Sequence, residues 1–263
     1  MQKVITTVAP TVLQCAGLEA PENTDTPDEE LLRLKAGKGI AENVDRVVLY
    51  NPDAVGFWVY EKYKDLFRAA EQASDIALAR TSVMPCVTPV CFASMYSGLM
   101  PAVHGIQKYE KPVLKAETLF DLFLKAGKKC AIVSTTGDSI SKIFLERNMD
   151  YFIYPSLRRV NKKALKLLKE DAYDLIVIYN GNYDSKMHAT GPESGKSIKA
   201  LKQNLAYYTT LTGHIKKHLK GHTVFYGFCP DHGCHLIDGG RGSHGLDMPE
   251  DMNVIHFYGI SKL

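Results

Sequence analysis

The sequence predicts an α/β protein, specifically a three-layer α/β/α sandwich with a mainly parallel central sheet. Short apolar runs rich in β-branched residues recur along the chain and are bounded by Gly, Pro or Asp. Segments with the period of about 3.6 residues that amphipathic helices have lie between them. Apolar strands that alternate with amphipathic helices are typical of a parallel sheet covered by helices on both faces.

Each predicted strand or helix corresponds to one segment with the matching pattern. The predicted strands are residues 46–50, 130–134, 174–179, 223–228 and 253–258. The predicted helices are residues 118–126, 139–147, 161–170 and, as the longest, about 197–219. Residues 21–30 have the composition of an exposed turn and a helix start. Ligands of such sheets bind beyond the carboxyl ends of the strands, so polar residues just after a strand are the candidates for function.

Composition limits the class of protein. The 263 residues are 45% apolar and 23% charged, which allows a sizeable core without disulfides. No linker, low-complexity stretch or internal repeat divides the chain, which predicts a single domain over residues 1–263. The net charge of +3 is small for a nucleic-acid footprint. The basic run at 158–169 is therefore interpreted as a solvated helix face, and no nucleic-acid polymer is expected as a partner.

The cysteines and the apolar runs bear on location. The six cysteines are scattered and contain no CxxC pair, which favours a reducing compartment. The first residues lack the charged and apolar regions of a signal peptide, and no apolar run reaches about eighteen residues. We therefore expect a cytoplasmic protein without a membrane partner. An oligomer is compatible with these features.

Acidic and imidazole side chains follow three of the predicted strands. Asp53 comes directly after the first strand, where a lone Asp is ordinarily a turn or helix-cap residue. Asp184 and His188 follow the third strand with i, i+4 spacing, which puts both on one side of a helical turn, as metal ligands or as a surface ion pair. Asp231 and His232 follow the fourth strand, where a flanking Pro and Gly favour a tight turn.

His244 is the sixth residue of this set and lies in the segment GGRGSHG before the last strand. A flexible surface loop and a phosphate-binding loop are alternative interpretations of that segment, although it lacks the GxxxxGK[ST] pattern. Together the set supplies three carboxylates and three imidazoles at one edge of the sheet. Mixed nitrogen and oxygen ligands suit Zn²⁺, with Mn²⁺ or Fe as alternatives, and their number fits two divalent ions.

A candidate nucleophile lies in the segment MPCVTPVCFASMYSGLMPAVHGI. Thr88 stands at the start of a predicted helix, where N–H groups can face an incoming anion. Metal coordination would lower the pKa of its hydroxyl and activate it. Cys86 and Cys91 are the competing nucleophiles, but a cysteine mechanism needs a partnered base, so we interpret both as small buried apolar residues.

These blocks carry a resemblance to a known family. Thr88 precedes Gly98 by ten positions and is followed by HGI at 104–106. An Asp after the first core strand, an Asp-x-x-x-His followed by GPES, an Asp-His-Gly and a last His before a strand accompany it. Over roughly residues 46–258 the chain resembles the alkaline phosphatase superfamily, and more narrowly its type I phosphodiesterase/nucleotide pyrophosphatase family.

The resemblance implies an alkaline phosphatase-like fold and a two-metal hydrolase of phosphate esters. Its pattern assigns one set of ligands to each of two ions and gives His104 a structural role. Thr88 would displace the leaving group and form a covalent phosphothreonine, which water then hydrolyses. The first set is Asp53, Thr88, Asp231 and His232, and the second is Asp184, His188 and His244.

Two departures from the family pattern bear on the substrate. Only eleven residues separate His232 from His244, where many relatives carry a long insertion that forms a cap. Diesterase relatives also place a phosphate-contacting Asn about twenty positions after the nucleophile, whereas this chain has Lys108 and Tyr109 in that neighbourhood. A lysine would favour a phosphate monoester dianion, so monoester and diester substrates both stay open.

Two further functions stay open at this point. A phosphonate or sulfate ester hydrolase of the same superfamily is one, although sulfatases use a modified Cys or Ser where this chain has Thr88. A catalytically silent metal- or nucleotide-binding protein is the other. Of the remaining histidines, we expect His256 in the core and His235 at most beside a metal ligand.

Overall fold

The computed structural model describes residues 3–263, which form a central sheet with helices around it. Its strands and those of a small hairpin are, in chain order, β1 (Lys3–Val4), β2 (Arg46–Pro52), β3 (Ile76–Thr81), β4 (Cys130–Thr135), β5 (Asp150–Tyr154), β6 (Leu175–Asn180), β7 (Thr223–Phe228), β8 (His235–Ile237), β9 (Arg241–Ser243) and β10 (Asn253–Lys262). The sheet has eight strands in the order β1-β3-β10-β7-β2-β6-β4-β5, and β8 pairs with β9 alone. Only β10 runs antiparallel to its neighbours in the sheet.

Helices cover both faces of the sheet. In chain order they are α1 (Val8–Cys15), α2 (Glu29–Gly37), α3 (Phe57–Lys62), α4 (Lys64–Gln72), α5 (Thr88–Ser97), α6 (Pro101–His104), α7 (Leu119–Lys125), α8 (Ile140–Ile143), α9 (Leu157–Glu170), α10 (Asn182–Thr190), α11 (Gly195–His218) and α12 (Pro249–Met252). One apolar core lies between the sheet and α1, α2, α5, α7 and α8, and another lies under α3, α4, α9, α10 and α11. The predicted three-layer sandwich with a mainly parallel sheet is confirmed.

The central strands contain continuous apolar runs because each strand buries side chains on both faces. In β2, Val47 and Leu49 belong to one core, whereas Val48 and Tyr50 belong to the other. Every residue of β6 and β7 is buried. This arrangement explains why alternation of apolar and polar residues is missing from these strands.

The structure extends the predicted elements and corrects one of them. All five predicted strands are present, but β1, β3 and β5 were not predicted, because β3 and β5 are partly exposed and contain charged residues. The predicted helix over 139–147 is wrong in length, since α8 ends at Ile143. Glu146 has a φ of 65°, a left-handed conformation that a helix cannot contain. The predicted solvated face at 158–169 is the exposed side of the amphipathic helix α9.

Residues 5–45 pack on the sheet through α1 and α2. Asp28 is the N-cap of α2, where its carboxylate accepts hydrogen bonds from the backbone N–H groups of Glu30 and Leu31 at 2.8 and 3.4 Å. The other carboxylate oxygen forms an ion pair with Arg80 of β3, and both side chains are at least 98% buried. The helix start expected near residue 30 is therefore present, and a buried ion pair fixes it to the sheet.

A cluster of one histidine and two carboxylates links the amino ends of β2 and β7, at the edge of the sheet opposite to the carboxyl ends of these strands. His222 contacts Asp45 through Nδ1 at 2.6 Å and Asp171 through Nε2 at 2.8 Å. Burial lowers the pKa of His222, but its hydrogen bonds to both carboxylates outweigh burial and raise the pKa overall. This cluster stabilises the fold and lies apart from the polar carboxyl ends.

The remaining expectations concern cysteines and membranes. All six cysteines are buried and unpaired. Within residues 3–263, no helix is long and apolar enough to cross a membrane.

Candidate active site

The carboxyl ends of three adjacent strands bring the predicted ligands together. Because β2 lies between β7 and β6, the segments that follow these strands meet at one edge of the sheet. Asp53 follows β2 directly, α10 follows β6, and the turn after β7 carries Asp231 and His232. His244 follows the β8–β9 hairpin, and Thr88 is the first residue of α5. The six predicted ligands form two groups, Asp53 with Asp231 and His232, and Asp184 with His188 and His244.

The first group is buried completely. Asp53, Asp231 and His232 are each at most 1% exposed. The Nε2 atom of His232 lies 3.4 Å from Oδ1 of Asp53 and 3.3 Å from Oδ2 of Asp231. Oδ1 of Asp231 accepts a long hydrogen bond of 3.4 Å from the backbone N–H of Ala54. Two carboxylates and one imidazole thus converge, and within residues 3–263 neither carboxylate forms an ion pair with a lysine or an arginine.

The second group adjoins the first and is more open. Asp184 and His188 lie one turn apart on α10, with Oδ1 and Nε2 separated by 3.2 Å. Nε2 of His244 lies 3.1 Å from Nε2 of His188 and 3.6 Å from Oδ1 of Asp184. The rings of His232 and His244 stack at a centroid distance of 4.0 Å, so the two groups share a wall.

Backbone carbonyls orient all three imidazoles. Each Nδ1 lies within hydrogen-bond distance of a carbonyl oxygen, which can only accept, so each Nδ1 donates. These contacts are His232 to Gly233 at 2.9 Å, His188 to Gly242 at 3.0 Å and His244 to Cys86 at 2.8 Å. Each Nε2 therefore presents its lone pair to the centre of its group, which is the orientation of histidines that ligate metals.

The carboxylates of the two groups retain unsatisfied oxygens. Oδ1 of Asp53, Oδ1 of Asp184 and Oδ2 of Asp231 are buried without a hydrogen-bond partner among the described residues. Burial, reinforced by the other two carboxylates, raises the pKa of Asp53 well above its ordinary value, and burial raises the pKa of Asp231 in the same way. Divalent cations would compensate these charges, and carboxylate oxygens with imidazole nitrogens are ligands that Zn²⁺ and Mn²⁺ accept. The residues therefore fit the two-ion site that the sequence predicts.

The hydroxyl of Thr88 faces the first group. Thr88 is 5% exposed, and its Oγ1 lies 3.2 Å from Nε2 of His232 and 3.4 Å from Oδ2 of Asp53. Its place at the amino end of the ten-residue helix α5 adds a positive helix dipole at this point. The competing thiols are inert by comparison, because burial raises the pKa of Cys86 to about 12 and raises that of Cys91 as well.

Tyr179 belongs to the site and was not predicted from the sequence. It lies near the end of β6, and its hydroxyl donates a hydrogen bond to Oδ2 of Asp53, the oxygen that also faces Thr88. Phe92 packs edge-on against its ring at 5.9 Å. The position in an apolar strand hides this role in the sequence, since a buried aromatic residue is expected there whether or not its hydroxyl has a partner.

A cavity of about 500 Å³ opens beside the site. Of the two residues expected from the sequence to contact phosphate, one lines this cavity. Tyr109 lines this cavity together with Tyr179, Lys111 and Lys186. Lys108 is not among the residues that line it, and its exposed ammonium lies 3.4 Å from the carboxylate of Glu110. The lysines that face the cavity are thus Lys111 and Lys186, whose separation of 75 positions conceals their proximity in the sequence.

The other histidines lie where the sequence suggested. His256 is buried, with Nδ1 2.7 Å from the hydroxyl of Tyr258 and Nε2 2.7 Å from the carbonyl of Pro230. His104 is 2.9 Å from Oγ of Ser94, and burial lowers its pKa to about 4. Nδ1 of His235 lies 2.8 Å from Asp251 rather than from a candidate metal ligand. These contacts hold loops and helices in place.

Comparisons with known proteins give structural matches alone. No protein-family model matches the sequence, and no curated protein matches it. The structure is similar to murine ectonucleotide pyrophosphatase/phosphodiesterase 5, an inactive variant in complex with AMP, with a TM-score of 0.58 and 15% identity over 74% of this chain and 59% of that chain. The human protein of the same name gives a TM-score of 0.62 and 14% identity over 81% and 87%. Phosphonoacetate hydrolase from Sinorhizobium meliloti, in complex with phosphonoformate, gives 0.53 and 17% over 73% and 56%.

These matches establish the fold. The chain spans 59% of the length of the murine structure and 56% of the phosphonoacetate hydrolase. The chain shares the fold of these proteins, and the alkaline phosphatase-like fold that the resemblance implied is confirmed.

Proposed function

We propose that this chain is a metal-dependent hydrolase of phosphate esters that uses Thr88 as its nucleophile. The observation that carries the proposal is the position of Oγ1 of Thr88, 3.2 Å from His232 and 3.4 Å from Asp53 at the amino end of α5. The fold shared with a phosphodiesterase and a phosphonate hydrolase supports the class of reaction.

Two divalent ions, most favourably Zn²⁺, would complete the site. Asp53, Thr88, Asp231 and His232 would hold one ion, and Asp184, His188 and His244 would hold the other. When bound, such ions neutralise the carboxylates, polarise the phosphoryl group and lower the pKa of the attacking hydroxyl. The unsatisfied carboxylate oxygens and the three oriented imidazoles support this assignment.

The proposed reaction has two steps, both at Thr88. Oγ1 of Thr88 would attack phosphorus as the bond to the leaving oxygen breaks, its proton would pass to Oδ2 of Asp53 at 3.4 Å, and the leaving oxygen would take a proton from water. The product is a phosphothreonine. Water then attacks this ester from the side that faces Asp184, His188 and His244, and the Thr88 hydroxyl is regenerated. The dipole of α5 favours the negative charge that develops at phosphorus.

The substrate is expected to be a small anionic ester. Lys111 and Lys186 line the adjoining cavity with one carboxylate, that of Asp138, so cationic side chains are in excess there. The exposed ring of Tyr109 also lines it, with the Lys111 ammonium 5.3 Å from the ring centroid. This combination suits a phosphate ester with a second polar group and leaves monoester and diester both open. The fold is shared with a phosphonoacetate hydrolase, so a phosphonate is the alternative class of substrate to include in any assay.

A substrate panel on the purified chain tests the proposal. The panel consists of p-nitrophenyl phosphate, bis(p-nitrophenyl) phosphate, p-nitrophenyl phenylphosphonate and p-nitrophenyl sulfate, each with added Zn²⁺ or Mn²⁺. We expect turnover of a phosphate ester that dialysis against a chelator abolishes and metal restores. Thr88→Ala should lower kcat by at least about a thousand-fold, whereas Thr88→Ser retains the hydroxyl and part of the activity.

Direct detection of the intermediate separates a nucleophile from a structural threonine. A rapid acid quench during turnover should leave a phosphoryl group on Thr88, located by mass spectrometry of the peptide. Thr88→Ala that turns over every ester at the rate of the unmodified chain would disprove the assignment. An unmodified chain that hydrolyses no member of the panel with either metal would disprove the function.

A further inference from the structure

A second cavity, lined by amides, lies between α9, α10 and α11. Its volume is about 370 Å³. Asn161 projects from α9, Asn182 from α10, and Gln203 and Asn204 from α11, while Asn180 closes the wall at the end of β6. Four of these five side chains come from three different helices. We call this space the amide cavity.

The amide cavity contains hydrogen-bonding groups that the rest of the chain leaves unpaired. Asn204 is fully buried, and neither its Nδ2 nor its Oδ1 has a hydrogen-bond partner among the described residues. Oδ1 of Asn161 is unpaired as well. By contrast, Asn180 donates to the hydroxyl of Tyr50 at 2.9 Å, and Asn182 donates to Oε1 of Gln203 at 3.0 Å. A buried polar group without a partner costs about 1–3 kcal/mol, so Asn204 weakens the fold unless something binds to it.

The chemistry of the wall defines the group that would bind. Side-chain amides carry donors and acceptors together, and a hydroxyl group also donates and accepts. The residues that line the cavity include no carboxylate to hold a cation and no aromatic ring on which a nucleobase could stack. Arg158 is the charged residue among them, and it is exposed at the rim. The wall therefore matches an uncharged group with several hydroxyls.

The amide cavity adjoins the cavity beside the candidate active site. Asn182 and Leu157 line both. The other cavity reaches Tyr179, whose hydroxyl donates to Asp53. An ester whose phosphorus lies at Thr88 could thus extend a polar substituent past Asn182 toward Asn204.

We propose that the amide cavity binds a polyol or sugar group of the ester substrate, with Asn204 and Asn161 as the residues that determine this specificity. The proposal rests on the proposed function for the position of the phosphorus. The amide atoms of Asn204 and Oδ1 of Asn161 are closed to solvent in the free chain, so the hydroxyls of the bound group would satisfy them after the surrounding side chains shift to admit it. The substrate that this proposal implies is a phosphate ester of a polyhydroxylated alcohol.

Binding of free polyols tests the proposal without turnover. Glycerol, D-ribose and myo-inositol are titrated into the unmodified chain, Thr88→Ala and Asn204→Leu, and heat is measured by calorimetry. We expect at least one of the three to bind to the unmodified chain and to Thr88→Ala with equal affinity. Asn204→Leu should weaken that binding by roughly tenfold or more, since two or more hydrogen bonds are lost.

A second variant guards against misfolding. Asn161→Ala changes a partly exposed residue of the cavity wall and is expected to weaken binding of the same polyol severalfold while thermal unfolding stays near that of the unmodified chain. If none of the three polyols binds to the unmodified chain, the proposal is wrong. It is equally wrong if Asn204→Leu and Asn161→Ala both bind the polyol as the unmodified chain does.

The outcomes also separate this proposal from the proposed function. If polyol binding depends on Asn204 in a chain that hydrolyses no ester of the panel, the polyol-binding proposal is supported and the proposed hydrolase function is wrong. If ester hydrolysis requires Thr88 but no polyol binds, the hydrolase function is supported and the polyol-binding proposal is wrong.

Discussion

Replacing Tyr179 with phenylalanine removes a single oxygen from beside the candidate metal site. The hydroxyl of Tyr179 donates to Oδ2 of Asp53, and that oxygen lies 3.4 Å from Oγ1 of Thr88. The ring itself packs against Phe92 and would stay in place in Tyr179→Phe. Gly181 preserves the fit, because a Cβ at that position would lie 2.7 Å from the hydroxyl. Tyr179 thus acts as a positioning residue that holds Asp53 in one orientation.

The size of the effect follows from the kind of bond that is lost. A hydrogen bond to a charged group contributes about 1.5–3 kcal/mol, and about 1.4 kcal/mol corresponds to a tenfold change in an equilibrium constant. Residues that orient metal ligands usually change metal affinity or activity by about 10- to 100-fold when mutated. We therefore expect Tyr179→Phe to weaken Zn²⁺ binding and to lower kcat/KM by about 10- to 100-fold each.

The assay measures the Zn²⁺ dissociation constant by competition with a chromophoric chelator, in parallel with turnover of the best p-nitrophenyl ester. Tyr208→Phe is the matched control, because Tyr208 is also buried and its hydroxyl contacts Ser74 at 2.8 Å, away from the candidate ligands. A merely structural role would lower the melting temperature of both variants and leave the Zn²⁺ constant unchanged. Tyr179→Phe with unchanged Zn²⁺ affinity and unchanged kcat/KM would refute the role of this hydroxyl.

Two stability predictions concern the regions outside the site. Arg80→Met leaves the carboxylate of Asp28 buried without its cation and is expected to lower the free energy of unfolding by about 3–5 kcal/mol in urea titrations. Arg33→Met, which breaks an exposed ion pair on the same helix, should change it by less than about 1 kcal/mol, and equal losses would contradict the reasoning. Because the pKa of His222 is raised in the folded chain, its stabilisation is complete below the ordinary pKa and disappears as pH rises through the folded-state pKa. His222→Gln should therefore lower the free energy of unfolding more at about pH 5.5 than at about pH 9. A loss of unfolding free energy that grows with pH would contradict this stabilising role of His222.

The sequence revealed the middle of the sheet better than its margins. β2, β6 and β7 are buried on both faces, so their runs of apolar residues are long enough to recognise. β3 and β5 are partly exposed, and β3 contains Arg80, which is buried and forms an ion pair with Asp28. No local pattern indicates such a pairing, because the two residues are 52 positions apart. Strand order and the antiparallel direction of β10 likewise depend on contacts that periodicity does not report.

The candidate ligands can be predicted from the sequence because of where they lie relative to the strands. Asp53, Asp231 and His232 follow directly after strands that lie side by side, so their positions along the chain imply a shared edge. The residues around them have no such marker. Tyr179 lies within a strand, and Lys111 and Lys186 reach the same cavity from distant segments. The amide cavity depends in the same way on how α9 packs against α11.

The short connection between His232 and His244 has a positive role in the geometry of the site. The β8–β9 hairpin fills most of its eleven residues, and the carbonyl of Gly242 in β9 orients His188 from outside α10. Gly242 can approach this closely because it lacks a Cβ, which would lie 2.3 Å from the sulfur of Met187. His244 then follows only two residues after Gly242 and completes the second group of ligands. The hairpin therefore orients His188 and places His244 next along the chain. If the chain hydrolyses an ester as proposed, we expect the cavities on the side of α9, α10 and α11 to select its substrate.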